Sequence, residues 1–190
     1  MTTTAEACDP RHWAPERRAG WLGTDWAHAR LRDEMLSNPR LRRKVGALAG
    51  GAPLPDADAA PPAPLGALLD VWGPATLAWI GLCWSAPRLP ALMADRRHRA
   101  ALADIPRVQM RDAMRYSDRA EPALPDDPPD WPGEGAACLW AWADRLDAPW
   151  AAVLRLRLPV LDGADPPDRV AARADLVDRL HADGRIGAAA

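Results

Sequence analysis

The chain has 190 residues, of which 48% are hydrophobic and 26% charged, and its formal net charge is −2. This length suits one compact domain with a buried core, and the composition excludes an intrinsically disordered chain. The slightly negative balance argues against a protein that binds nucleic acid or an anionic membrane over most of its surface.

The first predicted unit is an N-terminal helical segment, residues 1–51. Its first half is irregular, with scattered Pro and Gly, although several tryptophans give it something to bury. A helix is expected from Asp25, a candidate N-cap, to Ser37. A short basic helix, RLRRKVGALAG, follows Asn38. The N-terminus has no apolar stretch like those of secretory signals, so we expect no such signal.

Proline marks the next boundary. Residues 52–64 contain five prolines in an Ala/Asp background, which predicts an extended linker before a main helical domain at residues 65–190. The apolar stretch 71–86 is too short for a bilayer helix, which needs about 20 apolar residues. We therefore expect no membrane insertion. The helices expected between the two linkers cover residues 65–72, 75–84, 89–94, 96–104 and 106–117.

A second linker, rich in Pro and Asp, is predicted at residues 118–133, and a Trp-rich helix follows at 136–148. Leu139 and Ala143 share one face of this helix, together with Trp140, while Cys138 and Trp142 share a second face. Apolar residues on two faces indicate a helix wrapped by other elements.

The end of the chain is also expected to be helical. Asp147 and Pro149 predict a helix start, whereas the alternating Leu/Arg pattern makes residues 153–158 the one candidate strand. A final amphipathic helix is expected at 168–182. Because helical periodicity dominates, we predict an all-α fold: an irregular multi-helix single domain with Pro-rich linkers.

Residues that could carry chemistry are scattered. The pair Cys8 and His12 lacks the second Cys/His pair of a structural zinc site. Cys83 and Cys138 lie among Trp and Leu, where a thiol behaves as a small hydrophobe, and three cysteines make no disulfide framework. We expect a reducing compartment, no enzyme activity, no metal and no cofactor. A catalytic thiol would need a nearby histidine, and His98 and His181 could serve as one or be ordinary helix-surface residues. The carboxylates Asp126, Asp127 and Asp130 lie in a Pro-rich linker, which is too loose for paired-carboxylate catalysis.

The main electrostatic feature is a basic cluster, Arg40, Arg42, Arg43 and Lys44. We interpret it as a candidate contact for a partner protein, although such a run is more often a solvated helix face. The tryptophans could in principle stack on single-stranded nucleic acid, but their spacing favours a place in the core. Those with the spacing of core residues are Trp72, Trp79, Trp140 and Trp150.

In the order of its segments the chain resembles the SctK (YscK) family, the small cytosolic accessory subunits of bacterial type III secretion machines. Four places carry the resemblance: Cys8-Asp-Pro10 with Trp13, the block 65–90 with Gly81-Leu82 and Ser85-Ala86-Pro87, Trp131-Pro132, and the block 136–159 with Pro149-Trp150 and the sequence LRLRLP. They span residues 8–182, and the linker at 52–64 has no counterpart.

The resemblance implies a cytoplasmic adaptor at the cytosolic face of the inner membrane. It would join the cytoplasmic domain of the inner-membrane ring to the pod protein of the sorting platform, with no nucleic-acid partner and no catalytic residues. Two other classes stay open. A helical nucleic-acid-binding regulator would bind in a strongly salt-dependent way, and a secretion chaperone would form a tight complex with an exported substrate. A small helical enzyme is a further alternative.

Overall fold

In a computed structural model the described residues are 12–15, 38, 40–41, 44, 54–55, 59–118, 129–161 and 165–186. Within these ranges 69% of the residues are helical and none is in a strand, which confirms the predicted all-α fold. Between residues 59 and 118, 3₁₀ turns lie at Ala86–Arg88 and Met114–Tyr116. The α-helices are α1 (Ala63–Asp70), α2 (Pro74–Trp84), α3 (Leu89–Ala94), α4 (Arg99–Ala103), α5 (Arg107–Ala113), α6 (Trp131–Ala143), α7 (Ala148–Arg157) and α8 (Pro167–Ala182).

Proline defines many of the helix ends. α2 and α8 begin on a proline, and Pro132 and Pro149 lie in the first turns of α6 and α7. Proline is tolerated there because backbone N–H groups in the first turn make no hydrogen bond within the helix. The side chain of Asp130 caps α6 by accepting a hydrogen bond of 3.1 Å from the Gly133 amide. α7 ends where Leu158 becomes extended, as a residue before proline prefers.

Several predicted boundaries need correction. Residues 153–158 were the candidate strand, but they are helical up to Arg157. The Leu/Arg alternation is misleading because Arg157 is buried together with the leucines, so the pattern does not separate a buried face from an exposed one. The second predicted linker ends early, since α6 begins at Trp131, and α6 stops at Ala143 before the expected end. The expected helix 65–72 runs from Ala63 to Asp70 and leaves Trp72 outside it. The helix expected at 89–94 is found with those bounds.

The core lies between α2, α6 and α8, with α7 packed on α6. α6 is buried on two faces: Cys138, Leu139 and Ala143 are inaccessible to solvent, and Trp142 is 3% exposed. The interpretation of α6 as a helix wrapped by other elements agrees with this arrangement.

α2 and α6 cross with their backbones in direct contact. A Cβ added to Gly81 would lie 2.9 Å from the Gly135 nitrogen and closer still to the Trp131 carbonyl oxygen. A Cβ added to Gly135 would lie 3.1 Å from the Gly81 nitrogen and would overlap the Leu77 carbonyl. Both positions therefore need glycine, since any side chain would force the two helices apart.

Two residues from the first predicted unit and its linker belong to this core. Trp13 is 2% exposed, and the Ala14 amide donates a hydrogen bond of 3.0 Å to the Leu156 carbonyl in α7. Leu54, within the predicted 52–64 linker, is also buried in the core. Trp13, Ala14 and Leu54 thus pack against the main helical domain.

No single helix in the described ranges is long and apolar enough to cross a bilayer. α1 and α2 reach the required length only together, and the chain bends by 119° between them.

Candidate functional site

The predicted basic cluster begins at a capped helix start. The Asn38 side chain accepts hydrogen bonds from the Arg40 and Leu41 amides, at 3.0 and 3.3 Å. Arg40 and Lys44 are exposed, as a contact for a partner requires. Leu41, between them in sequence, is 42% exposed. The other two members of the cluster, Arg42 and Arg43, lie outside the described residues.

A second group of charges lies inside the fold, where α6 meets α8. Arg173 is 4% exposed, and its guanidinium donates to the Glu134 carboxylate at 2.7 Å and to the Glu134 carbonyl at 3.1 Å. Its Nε lies 2.7 Å from an Asp165 carboxylate oxygen. The guanidinium carbon is 4.6 Å from the centre of the Trp84 ring, a cation–π distance. Arg88 and Arg169 approach the same Glu134 carboxylate at 3.9 Å.

This arrangement holds a buried cation with its counter-ions. Burial alone would lower the pKa of Arg173, but the neighbouring Cys138, Glu134 and Asp165 raise it, and the net shift is upward. A guanidinium held charged in this way stays protonated near neutral pH. The group therefore fixes α8 against α6 and the end of α2.

A third group joins the C-terminal half of α6 to the solvent side of α8. The Trp142 indole donates a hydrogen bond of 2.7 Å to Asp178, and Arg145 pairs with the same carboxylate and with Asp175. Trp140, on another face, donates a hydrogen bond of 2.9 Å to the Pro159 carbonyl. These are positioning contacts between elements.

The tryptophans predicted to be core residues differ in burial. Trp150 is buried, whereas the other three, Trp72, Trp79 and Trp140, are half-buried. The further buried indoles of the described residues are those of Trp13, Trp84 and Trp142. The spacing along a helix predicted which face each tryptophan lies on, but it did not predict which of the tryptophans would be fully buried in the core.

The residues weighed for chemistry do not converge. Cys83 and Cys138 are buried in the core, and His12 is exposed, while its sequence partner Cys8 lies outside the described residues. Asp126 and Asp127 also lie outside them. In the described ranges, no group of three His, Cys, Asp or Glu side chains is placed to hold a metal ion.

Of the two possibilities for His98, the helix-surface residue is wrong. His98 is 1% exposed in the turn before α4, with Nδ1 3.4 Å from an Asp95 oxygen. The turn folds this side chain inward, which a helical-surface interpretation could not anticipate. His181, in the last turn of α8, is half-buried.

A surface feature that the sequence analysis missed lies on α5 and the 3₁₀ turn after it. Arg107, Arg111 and Arg115 recur every four residues and are all exposed. Val108 and Met114, on the same side, are 54% and 40% exposed. We call these five residues the α5 arginine stripe. The four-residue repeat was visible in the sequence, but only the structure shows that this face of the helix is uncovered.

Comparison with known proteins gives no relative: no family model matches the sequence, and searches of curated proteins and of solved structures find no match either. The resemblance to the SctK family therefore stays a prediction carried by its sequence motifs.

Proposed function

We propose that this protein is a non-catalytic adaptor subunit of a bacterial type III secretion system. In this role it links the cytoplasmic domain of the inner-membrane ring to the pod protein of the sorting platform, at the cytosolic face of the inner membrane. The proposal starts from the sequence resemblance and is supported by the way in which the resembling segments pack.

The observation that carries the proposal is the meeting of these segments in one core. Trp13 is buried, and the next residue hydrogen-bonds to α7, inside the block 136–159. Gly81, from the second segment, meets Trp131 of the third at the crossing of α2 and α6. Within the last block, the Trp140 indole donates a hydrogen bond of 2.9 Å to the carbonyl of Pro159, the final residue of the block. Segments spread along the sequence thus build one packing unit, as a shared fold requires.

The basic cluster, Arg40, Arg42, Arg43 and Lys44, is the proposed contact with a platform partner. Its described ends, Arg40 and Lys44, are exposed, and four positive charges this close repel one another unless an acidic surface neutralises them. A contact of this kind speeds association and makes it sensitive to salt.

The test is recovery of the tagged full chain from its own cell, with the ring and pod subunits quantified by mass spectrometry. We expect both subunits to co-purify in fixed ratio. The variant Arg42→Glu/Arg43→Glu is expected to lose them and to secrete poorly, with a free energy of unfolding within about 0.5 kcal/mol of the parent, as for surface changes.

Two outcomes separate this proposal from its alternatives. Recovery of a single exported substrate in a one-to-one complex would identify a chaperone instead of an adaptor. Normal secretion by the double variant would leave the basic cluster as a solvated helix face.

A further inference from the structure

The exposed face of α5 has a regular charge pattern. The helix turns by 100° per residue, so Arg107 and Arg111 follow one another along a slanted row with Val108 beside it. Arg115 and Met114 continue this exposed surface in the 3₁₀ turn that follows the helix. The opposite side of the helix holds Ala113, which is inaccessible to solvent, and the half-buried Met110. The helix thus packs on the core through one side and presents the α5 arginine stripe on the other.

Most arginines in the described part of the chain have a carboxylate beside them, whereas this row is paired only at Arg115. Asp112 lies 3.6 Å from Arg115 and 3.7 Å from Arg185, so its charge is already shared. Nearby, Asp118 pairs with Arg179 at 2.9 Å. Within the described residues, Arg107 and Arg111 have no ion-pair partner. The stripe therefore carries two positive charges, those of Arg107 and Arg111, that no carboxylate of the described residues neutralises.

We propose that the α5 arginine stripe docks an acidic helix of a partner protein, in which carboxylates repeat every four residues and aliphatic side chains flank them. Such a helix places its carboxylates about 6 Å apart, which is the spacing of the arginines along α5. Its flanking aliphatic residues would cover Val108 and Met114. The inference rests on the proposed adaptor function only for its expectation that the partner is a protein.

The order of residues across the stripe argues against other occupants. A helix that lies on a membrane inserts a central apolar strip with basic residues at its edges, whereas here the arginines are central and the apolar residues lie at the edges. Single-stranded nucleic acid would call for exposed aromatic rings among the arginines, and the one aromatic residue beside them, Tyr116, is 2% exposed. Arg and Met are, by contrast, enriched in protein–protein interfaces.

The test uses the full chain and a synthetic fluorescent helical peptide with Glu at every fourth position and Leu beside each Glu. A second peptide of the same composition, with its Glu residues distributed around the helix, controls for non-specific attraction. Fluorescence anisotropy near physiological salt measures both dissociation constants. We expect the patterned peptide to bind more tightly than the control peptide.

Matched variants locate the binding face. Arg111→Glu is expected to weaken binding of the patterned peptide about tenfold or more, because it places like charges opposite one another. Arg96→Glu makes the same charge change at another exposed arginine and is expected to leave binding within about twofold. Circular dichroism confirms that both variants stay folded. Equal losses in the two variants, or equal binding of the two peptides, would overturn the proposal.

Two further probes decide the occupant. Tighter binding of a short DNA oligonucleotide, or of vesicles containing phosphatidylglycerol, with the same dependence on Arg111, would also overturn it. The peptide experiment contains no secretion subunit, so it fails or succeeds independently of the co-purification that tests the adaptor function.

Discussion

Tyr116 is the single tyrosine of the chain, and its phenol is a direct reporter of the region between α5 and the C-terminal end of α8. Burial and a hydrogen bond of 2.9 Å to Asp183 raise its pKa above the ordinary value of 10.0. A raised pKa means that folding favours the protonated phenol. This contribution to stability is complete below about pH 10 and is lost progressively as the pH rises further.

We predict that the phenol of the folded protein ionises at higher pH than that of the urea-unfolded chain. Ultraviolet difference absorbance follows phenolate formation, and the assignment is unambiguous because there is one tyrosine. Asp183→Asn removes the carboxylate but not the burial, so it is expected to move the folded-state pKa part of the way back. Superimposable titrations of folded and unfolded protein would show that the phenol is not held as described.

The two neighbouring tryptophans of α6 are expected to differ in their contribution to stability. Trp142 is 3% exposed, whereas Trp140 is half-buried beneath Arg155. Trp142→Ala is therefore predicted to cost about 3–5 kcal/mol, as for large buried aromatic residues, and Trp140→Ala less than this. Urea denaturation of both variants measures the difference, and a larger loss for Trp140→Ala would contradict the assigned burial.

At the scale of elements, the crossing of α2 and α6 gives the sharpest stability prediction. Gly81→Ala forces a methyl group against the backbone of α6. Overpacked cores typically lose about 1–3 kcal/mol of stability, and we expect this variant to lose at least the upper value of that range. Gly66→Ala is the matched control, because a Cβ there meets only a Pro61 side-chain atom at 3.5 Å. Alanine also favours the helix, so this control is expected to gain about 0.5–1 kcal/mol.

Urea denaturation of the two alanine variants measures these changes in the free energy of unfolding. The dependence of that free energy on urea concentration should be the same in the variants and the parent. If Gly81→Ala is as stable as the parent, the two backbones do not touch as described. A shared destabilisation of both variants would indicate a general intolerance of α1 and α2 to substitution.

The elements were predictable where proline and apolar periodicity agree, as in α3 and at the start of α7. The elements were not predictable where a helix is buried on more than one face. In α7 the guanidinium of Arg157 is buried 5.8 Å from the Trp72 ring centre, so a charged residue occupies a position that a one-sided pattern assigns to solvent.

The same limit applies to the candidate sites. The exposure of Arg40 and Lys44 could be anticipated from the crowding of charge. The place of Arg173 could not, because its partner Glu134 lies in a distant helix and an isolated arginine in an amphipathic helix resembles a surface residue. The α5 arginine stripe needed the fold to show which arginines remain without carboxylates.

For the whole molecule, the central expectation is that the N-terminal residues and the main helical domain unfold together. Trp13 shares the core with α7, so Trp13→Ala is predicted to cost about 3–5 kcal/mol and to lower a single cooperative transition. Parallel urea curves from circular dichroism and tryptophan fluorescence test this. An unchanged midpoint, or two separated transitions, would mean that the N-terminal residues form a unit of their own.

The hydrogen bond from Ala14 to Leu156 also bears on how the protein is made. The ribosome delivers the first partner long before the second, and at about 5–20 residues per second the interval is on the order of ten seconds. During that interval the indole of Trp13 has no α7 to cover it, so the nascent chain presents an aromatic residue to solvent. Completion of the core must therefore wait for late translation, and chaperones that bind exposed apolar segments have time to act on the emerging N-terminus.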